Sequence, residues 1–209
     1  MNARQIVLRV LGAWLLVAMA IAASAQRSDS PADGSPASQA SGKKITIVLD
    51  PAQTEIHWTL GATLHTVHGT FKLKGGTIVF DPQSGSAQGE IVVCLETGES
   101  GTKARDSRMQ EEVLESAQYP QAVFRPEKVI GTIQPGAIQN ATVAGTFRIH
   151  GVDHPLNLNL QVQMNGKTAI ASTQFTVPYV QWGMKDLSSF VLHVDKEVKV
   201  EVTTKGNVE

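Results

Sequence analysis

Residues 156–164 set the tightest limit on what this chain can fold into. Leu156, Leu158, Leu160, Val162 and Met164 are apolar, and Asn157, Asn159, Gln161 and Gln163 between them are polar. Side chains of a strand point to opposite faces in turn, so strict period two means one dry face and one wet face. Asn165-Gly166 follows at once and is a strong signal for a tight hairpin. Residues 167–177 then return antiparallel.

Weaker versions of the same alternation run through the chain. Residues 45–49 carry Ile45, Ile47 and Leu49, and Asp50-Pro51 ends that strand. A second strand, 55–60, sets Ile56, Trp58 and Leu60 on one face. Residues 64–73 form a longer strand. Gly75-Gly76 reads as a hairpin turn into a short strand at 77–80, closed by Asp81-Pro82. Residues 86–96 alternate Ile91, Val93 and Leu95 with Gln88, Glu90 and Glu96. Residues 122–125 lead to Pro126, and 128–134 pairs with 141–150 across Pro135-Gly136. Residues 178–189 form a loop carrying Tyr179 and Trp182. A last strand spans 190–202, with Val198, Val200 and Val202 facing in.

Residues 102–120 are the one convincing helix after the N-terminal segment. Met109, Val113, Leu114 and Ala117 share a helical face, with Arg108, Glu111, Glu112 and Glu115 mainly opposite. Ser107 and Gln110 have capping-box spacing, Asp106 is a second N-cap candidate, and Pro120 cannot continue the helix. One amphipathic helix among many strands needs a place for its apolar side. The open end of a rolled antiparallel sheet is the simplest. Residues 67–75 and 143–151 also resemble each other, each with a mid-strand glycine, Gly69 and Gly145, where a bulge or bend fits. Such bends let a sheet curl on itself. The fold expected is mainly β: an antiparallel up-and-down barrel of about eight strands, with one amphipathic helix near its end. A two-sheet sandwich is the rival.

Residues 1–25 read as a cleaved export signal, with Arg4 and Arg9 before the apolar run 10–23 and Ala23-Ser24-Ala25 as a cleavage site. Residues 26–44, rich in Ser, Ala, Gly and Pro, read as a disordered linker. The folded domain is placed at 45–204 and the protein in the periplasm. Cleavage at Gln26 leaves 16 basic and 19 acidic residues, so the net charge is 16 − 19 = −3. There is no basic block, which argues against nucleic acid or an anionic membrane surface as partner. Cys94 is the only cysteine, so no internal disulfide forms. Val92, Val93 and Leu95 around it suggest a small buried hydrophobe.

Catalytic motifs do not stand out: there is no G-x-S-x-G, no phosphate-cradling glycine loop and no HExxH. His65 and His68, three apart on a strand, face opposite ways. His150 and His154 flank a turn, but a metal site would need a third ligand that the sequence does not name. His57 and His193 read as outward-facing. Arg105-Asp106 reads either as a salt bridge and cap for the helix or as a polar rim for a ligand head group. Trp58, Tyr179 and Trp182 read first as core or rim packing.

Five motifs then occur in order. They are Val67-x-Gly69-x-Phe71, Gly76-x-Ile78-x-Phe80-Asp81, Arg105-Asp106 opening a helix, Tyr119-Pro120-x-x-Phe124, and Val143-x-Gly145-x-Phe147-x-Ile149-x-Gly151. Behind an export segment, this series resembles the YceI-like family of exported lipid-binding domains, over about residues 45–202. The resemblance implies a lipocalin-like barrel closed at one end by a helix. It implies a tunnel for a long-chain amphiphile: a polyisoprenoid such as a quinone or prenyl pyrophosphate, or a fatty-acid derivative. It implies no enzyme activity and no cofactor beyond such a lipid. The tunnel is expected to be lined by Trp58, Phe71, Phe80, Ile91, Val93, Met109, Phe124, Phe147, Leu158, Leu160, Phe175 and Trp182, with Arg105, Asp106 and His65 at a polar mouth. The chain departs from the family's pattern at Arg108-Met109, at Gln181-Trp182-Gly183, and at Gly61, where the usual early-strand His falls. After signal cleavage no stable membrane insertion is expected, and a homodimer is left open. The rival reading is a non-enzymatic extracytoplasmic stress-response or interaction module whose barrel is filled by its own side chains.

Overall fold

A computed structural model describes residues 43–63 and 65–209. The expected signal segment, and all but the last two residues of the expected linker, lie outside the described residues. Nine strands form one closed antiparallel sheet. They are β1 (Ile45–Leu49), β2 (Glu55–Gly61), β3 (Thr66–Phe80), β4 (Ala87–Glu99), β5 (Gln121–Ile130), β6 (Ile138–Ile149), β7 (Val152–Asn165), β8 (Thr168–Val177) and β9 (Val198–Val208). Each pairs with the next from β2 to β9. Closure comes through β1 and β2, which both pair with β3 on one side and β9 on the other. These two therefore share one position, and the nine strands make an eight-position barrel, the up-and-down architecture expected rather than a sandwich. A 3-10 turn, Pro51–Gln53, separates them, and Asp50 Oδ1 accepts the Ala52 N–H at 2.9 Å.

The interruption between β1 and β2 has a purpose in the packing. Ile47 and Leu49 face inward from β1, and Ile56, Trp58 and Leu60 from β2. Odd and even positions cannot share a face along an unbroken strand. Bulges solve the same problem elsewhere. In β3 a register shift lies between Leu73 and Gly75. Before it Val67, Phe71 and Leu73 face inward; after it Ile78 and Phe80 do. In β5 the shift between Pro126 and Lys128 takes the inward set from Ala122, Phe124 and Pro126 to Val129.

These bulges correct two expectations. Gly75-Gly76 is not a hairpin: β3 runs straight through it, with Gly75 opposite Val92 and Gly76 opposite Ile91. Neither glycine has the positive φ that a tight hairpin turn requires. Gly76 instead allows close packing, since a Cβ there would lie 3.0 Å from Leu49 Cδ1. Likewise 122–125 and 128–134 are not separate segments, because Pro126 sits at the bulge of a single strand, where its missing N–H is tolerated. The Asn165-Gly166 hairpin forms as expected, with Asn165 paired to Thr168 and Gly166 at φ 58°.

The helix is shorter than expected. Helix α1 (Lys103–Arg108) passes into a π-helical turn, Met109–Val113. Glu115 then adopts φ 46°, and the chain leaves the helix five residues before Pro120. The expected capping box is absent. Thr102 is the N-cap residue, with no side-chain cap bond, and Asp106 and Ser107 lie within α1. Asp106 instead ties down the incoming loop, accepting the Ser100 N–H at 2.8 Å. The last strand also begins later than expected, at Val198, and runs to Val208. Cys94 is half-buried rather than buried: with Ile91, Val93 and Leu95 facing in, alternation puts Cys94 on the outer face.

Candidate functional site

The inward faces of the strands do not meet. They enclose a cavity of about 690 Å³, inside the range of small-molecule sites, roughly 300–1,000 Å³. Its wall is almost wholly aliphatic and aromatic. Of the expected tunnel residues, Trp58, Phe71, Phe80, Ile91, Val93, Met109, Phe124, Phe147, Leu158, Leu160 and Phe175 all line it. Trp182 does not. Its ring stacks on the His154 imidazole at 4.0 Å and 8°, with Phe147 at 6.0 Å. Burial holds the His154 pKa below its ordinary value, against a smaller opposite pull from Asp153. A volume of this size does not favour the rival expectation of a barrel filled by its own side chains.

The helix closes one end. Val113 and Leu114 are buried, and Met109 reaches the cavity. Gln110 Nε2 donates to the Leu95 carbonyl at 2.9 Å, fastening the π turn to β4. Gly98 makes room: a Cβ there would fall 2.6 Å from Met109 Cε and 2.6 Å from Phe71 Cε1.

The expected polar mouth is divided. Arg105 and His65 border the cavity, but Asp106 does not. The two members of the Arg105-Asp106 pair do not bridge one another. Arg105 Nε donates to Ser100 Oγ at 2.7 Å, and its Nη2 to the Ser100 carbonyl at 2.9 Å and to Thr102 Oγ1 at 3.1 Å. Asp106 Oδ1 accepts from the Ser100 hydroxyl and N–H. Both side chains thus organise the β4–α1 loop. Arg108 also borders the cavity, and its Nε pairs with Glu112 at 3.1 Å. Glu112 is held in turn by Lys185 at 2.6 Å, and this hydrogen bond is the main cause of its lowered pKa. Lys185 belongs to the loop 178–197, so this chain of charges joins the helix to that loop.

That loop supplies more of the wall. Tyr179, Met184 and Leu187 line the cavity from a stretch with no periodicity, whereas Leu192 and Val194 keep the parity of Val198, Val200 and Val202. Burial of the Tyr179 hydroxyl pushes its pKa up to about 12. His150 and His154 do not converge: His150 Nε2 lies 3.0 Å from Glu115 Oε2, beside the Tyr119 ring at 4.6 Å.

A closed antiparallel barrel, hollow and apolar inside and stoppered by a short helix, defines a class of binding scaffold. Within that class the sequence matches the family described as the YceI-like domain over residues 48–205, and the chain belongs to that family. Solved structures show the same fold. A polyisoprenoid binding domain from Saccharophagus degradans implicated in plant cell wall breakdown is 16% identical at a TM-score of 0.61, covering 78% of this chain and 98% of that one. BcnA of Burkholderia cenocepacia is 15% identical at 0.60, covering 75% and 98%. A mutant YceI protein of Campylobacter jejuni is 15% identical at 0.51, covering 63% and 79%. No curated protein sequence matches.

Proposed function

We propose that this protein is an exported, periplasmic binding protein that holds a long-chain amphiphile in its barrel: a polyisoprenoid, a quinone or a fatty-acid derivative. The observation that carries the reading is the apolar cavity of about 690 Å³, walled from every strand. Burying ten methylenes contributes about 8 kcal/mol. A micromolar complex requires about 8 kcal/mol net, so a longer chain must offset the ordering entropy. The Saccharophagus relative, named as a polyisoprenoid binding domain, supports this class of ligand. Segment 1–25, with its basic start and apolar run, supports export. The polar outer face of β7, the inverse of a lipid-facing barrel, supports a barrel surrounded by water. The role is retention rather than chemistry, because the wall presents apolar side chains and Arg105 at its rim is occupied by Ser100 and Thr102.

The test uses protein purified from cells, extracted with organic solvent and read by mass spectrometry. A prenol, quinone or acyl lipid is expected in the extract. Protein that comes out empty, and then ignores quinones and prenols added from dilute detergent, sinks the reading.

A further inference from the structure

The loop between β8 and β9 is apolar on two sides. Leu187, Leu192 and Val194 face the cavity. Phe190 and Val191 face solvent, with relative exposures of 106% and 83%, the highest of any large apolar side chain among the described residues. The tip that carries them is well braced. Ser189 N–H donates to the Leu192 carbonyl at 2.7 Å, and Leu192 N–H to Ser189 Oγ at 3.2 Å. At its base Ser188 Oγ donates to the Val194 carbonyl at 3.3 Å and accepts the Val194 N–H at 3.1 Å. Thr63 N–H donates to the His193 carbonyl at 2.9 Å, and His193 N–H to Thr63 Oγ1 at 3.0 Å. Phe190 and Val191 thus occupy the centre of a tight turn, where water-facing turns take Gly, Asn, Asp or Pro. These bonds fix the base of the turn at Ser189 and Leu192, so it presents its two apolar side chains from a braced frame.

We propose that this tip docks on a lipid bilayer, with Phe190 and Val191 entering the boundary between head groups and acyl chains, so that the cargo passes between bilayer and cavity alongside it. The inference rests on the lipid-carrier reading above. Its physical basis is continuity. One loop presents Phe190 and Val191 outward and Leu187 and Leu192 to the cavity, so a lipid moving along it keeps its chain against apolar surface. The lysines of the loop are already paired, Lys185 with Glu112 and Lys196 with Asp186, so apolar contact rather than anionic lipid leads the docking.

The experiment has two arms, both with phosphatidylcholine vesicles. In the first, Phe190→Trp is mixed with vesicles carrying brominated acyl chains. The introduced indole is expected to be quenched beyond the wild-type tryptophan signal, with little dependence on salt. In the second, Phe190→Ser/Val191→Ser is expected to slow prenol transfer from vesicles about tenfold or more. Its uptake of the same prenol from detergent is expected to match wild type. Absence of quenching, or vesicle transfer as fast as wild type, overturns the bilayer inference and leaves the carrier reading standing. Failure of wild-type uptake from detergent strikes the carrier reading itself. A dimer that the double variant dissolves, without quenching, assigns the tip to a second copy and overturns the inference.

Discussion

Gly69 shows how much depends on single positions in this wall. A Cβ there would fall inside contact distance of the Glu99 carbonyl and of the Trp58 indole, which lies across it. Gly69→Ala must displace the ring or open the β3–β4 edge. The expected cost is about 1–3 kcal/mol, read as a shift in the urea midpoint. Leu158 tests the inside–outside assignment. Leu158→Asp puts a carboxylate on an apolar wall whose bordering arginines are already engaged, Arg105 by Ser100 and Thr102 and Arg108 by Glu112, and it is expected to unfold the domain or abolish lipid uptake. Wild-type melting together with wild-type uptake would reverse that assignment. Tyr179 adds a pH dependence. The unfolded phenol ionises near 10, whereas burial raises the folded value to about 12. The native state therefore keeps a proton that the unfolded chain has lost. The stability it contributes is whole below pH 10 and declines as pH rises from 10 through 12. Denaturant midpoints across that window are expected to fall in wild type and to fall less in Tyr179→Phe.

At the level of elements, the helix and its approach loop act as one fastened unit. The sequence left Arg105-Asp106 between a structural and a ligand-facing role. Three bonds from Arg105 to Ser100 and Thr102 favour the structural one. Arg105→Ala is accordingly expected to lower the melting temperature and to weaken anionic and neutral lipids alike. Loss confined to anionic lipids, by titration of a prenyl phosphate against the parent prenol, would restore a head-group role. The strands teach a different lesson. Alternation found β7, and β4 as far as Leu95, because parity holds along both stretches. It split β3 at Gly75 and β5 at Pro126 because a bulge changes parity, and a broken pattern looks like a turn. The helix was overextended for a related reason. Ala117 continues the apolar spacing, but Glu115 turns left-handed where His150 meets it.

Closure leaves no open sheet edge among the described residues and a hollow centre, so stability and occupancy are linked. A ligand bound only by the folded barrel stabilises it by about 2.7 kcal/mol at a hundred times its dissociation constant. Titrating purified, delipidated protein with a long-chain quinone or prenol is expected to raise the melting temperature steadily. A flat response to both, alongside a C16 fatty acid that is equally without effect, would remove the carrier role.

Alternation marked the inward faces of the regular strands, Ile91, Val93, Leu158 and Leu160 among them, because period two is a local rule that each strand carries alone; between barrel and sandwich it did not choose. Tertiary structure alone decided that β1 and β2 share one position, that bulges keep both parities inside, and that Trp182 stacks on His154. It alone brought Tyr179, Met184 and Leu187 to the cavity and left Phe190 outside, against the parity that Phe190 shares with Leu192. These are matters of closure and long-range contact. A stretch without periodicity acquires an inside and an outside only when the rest of the chain supplies the wall.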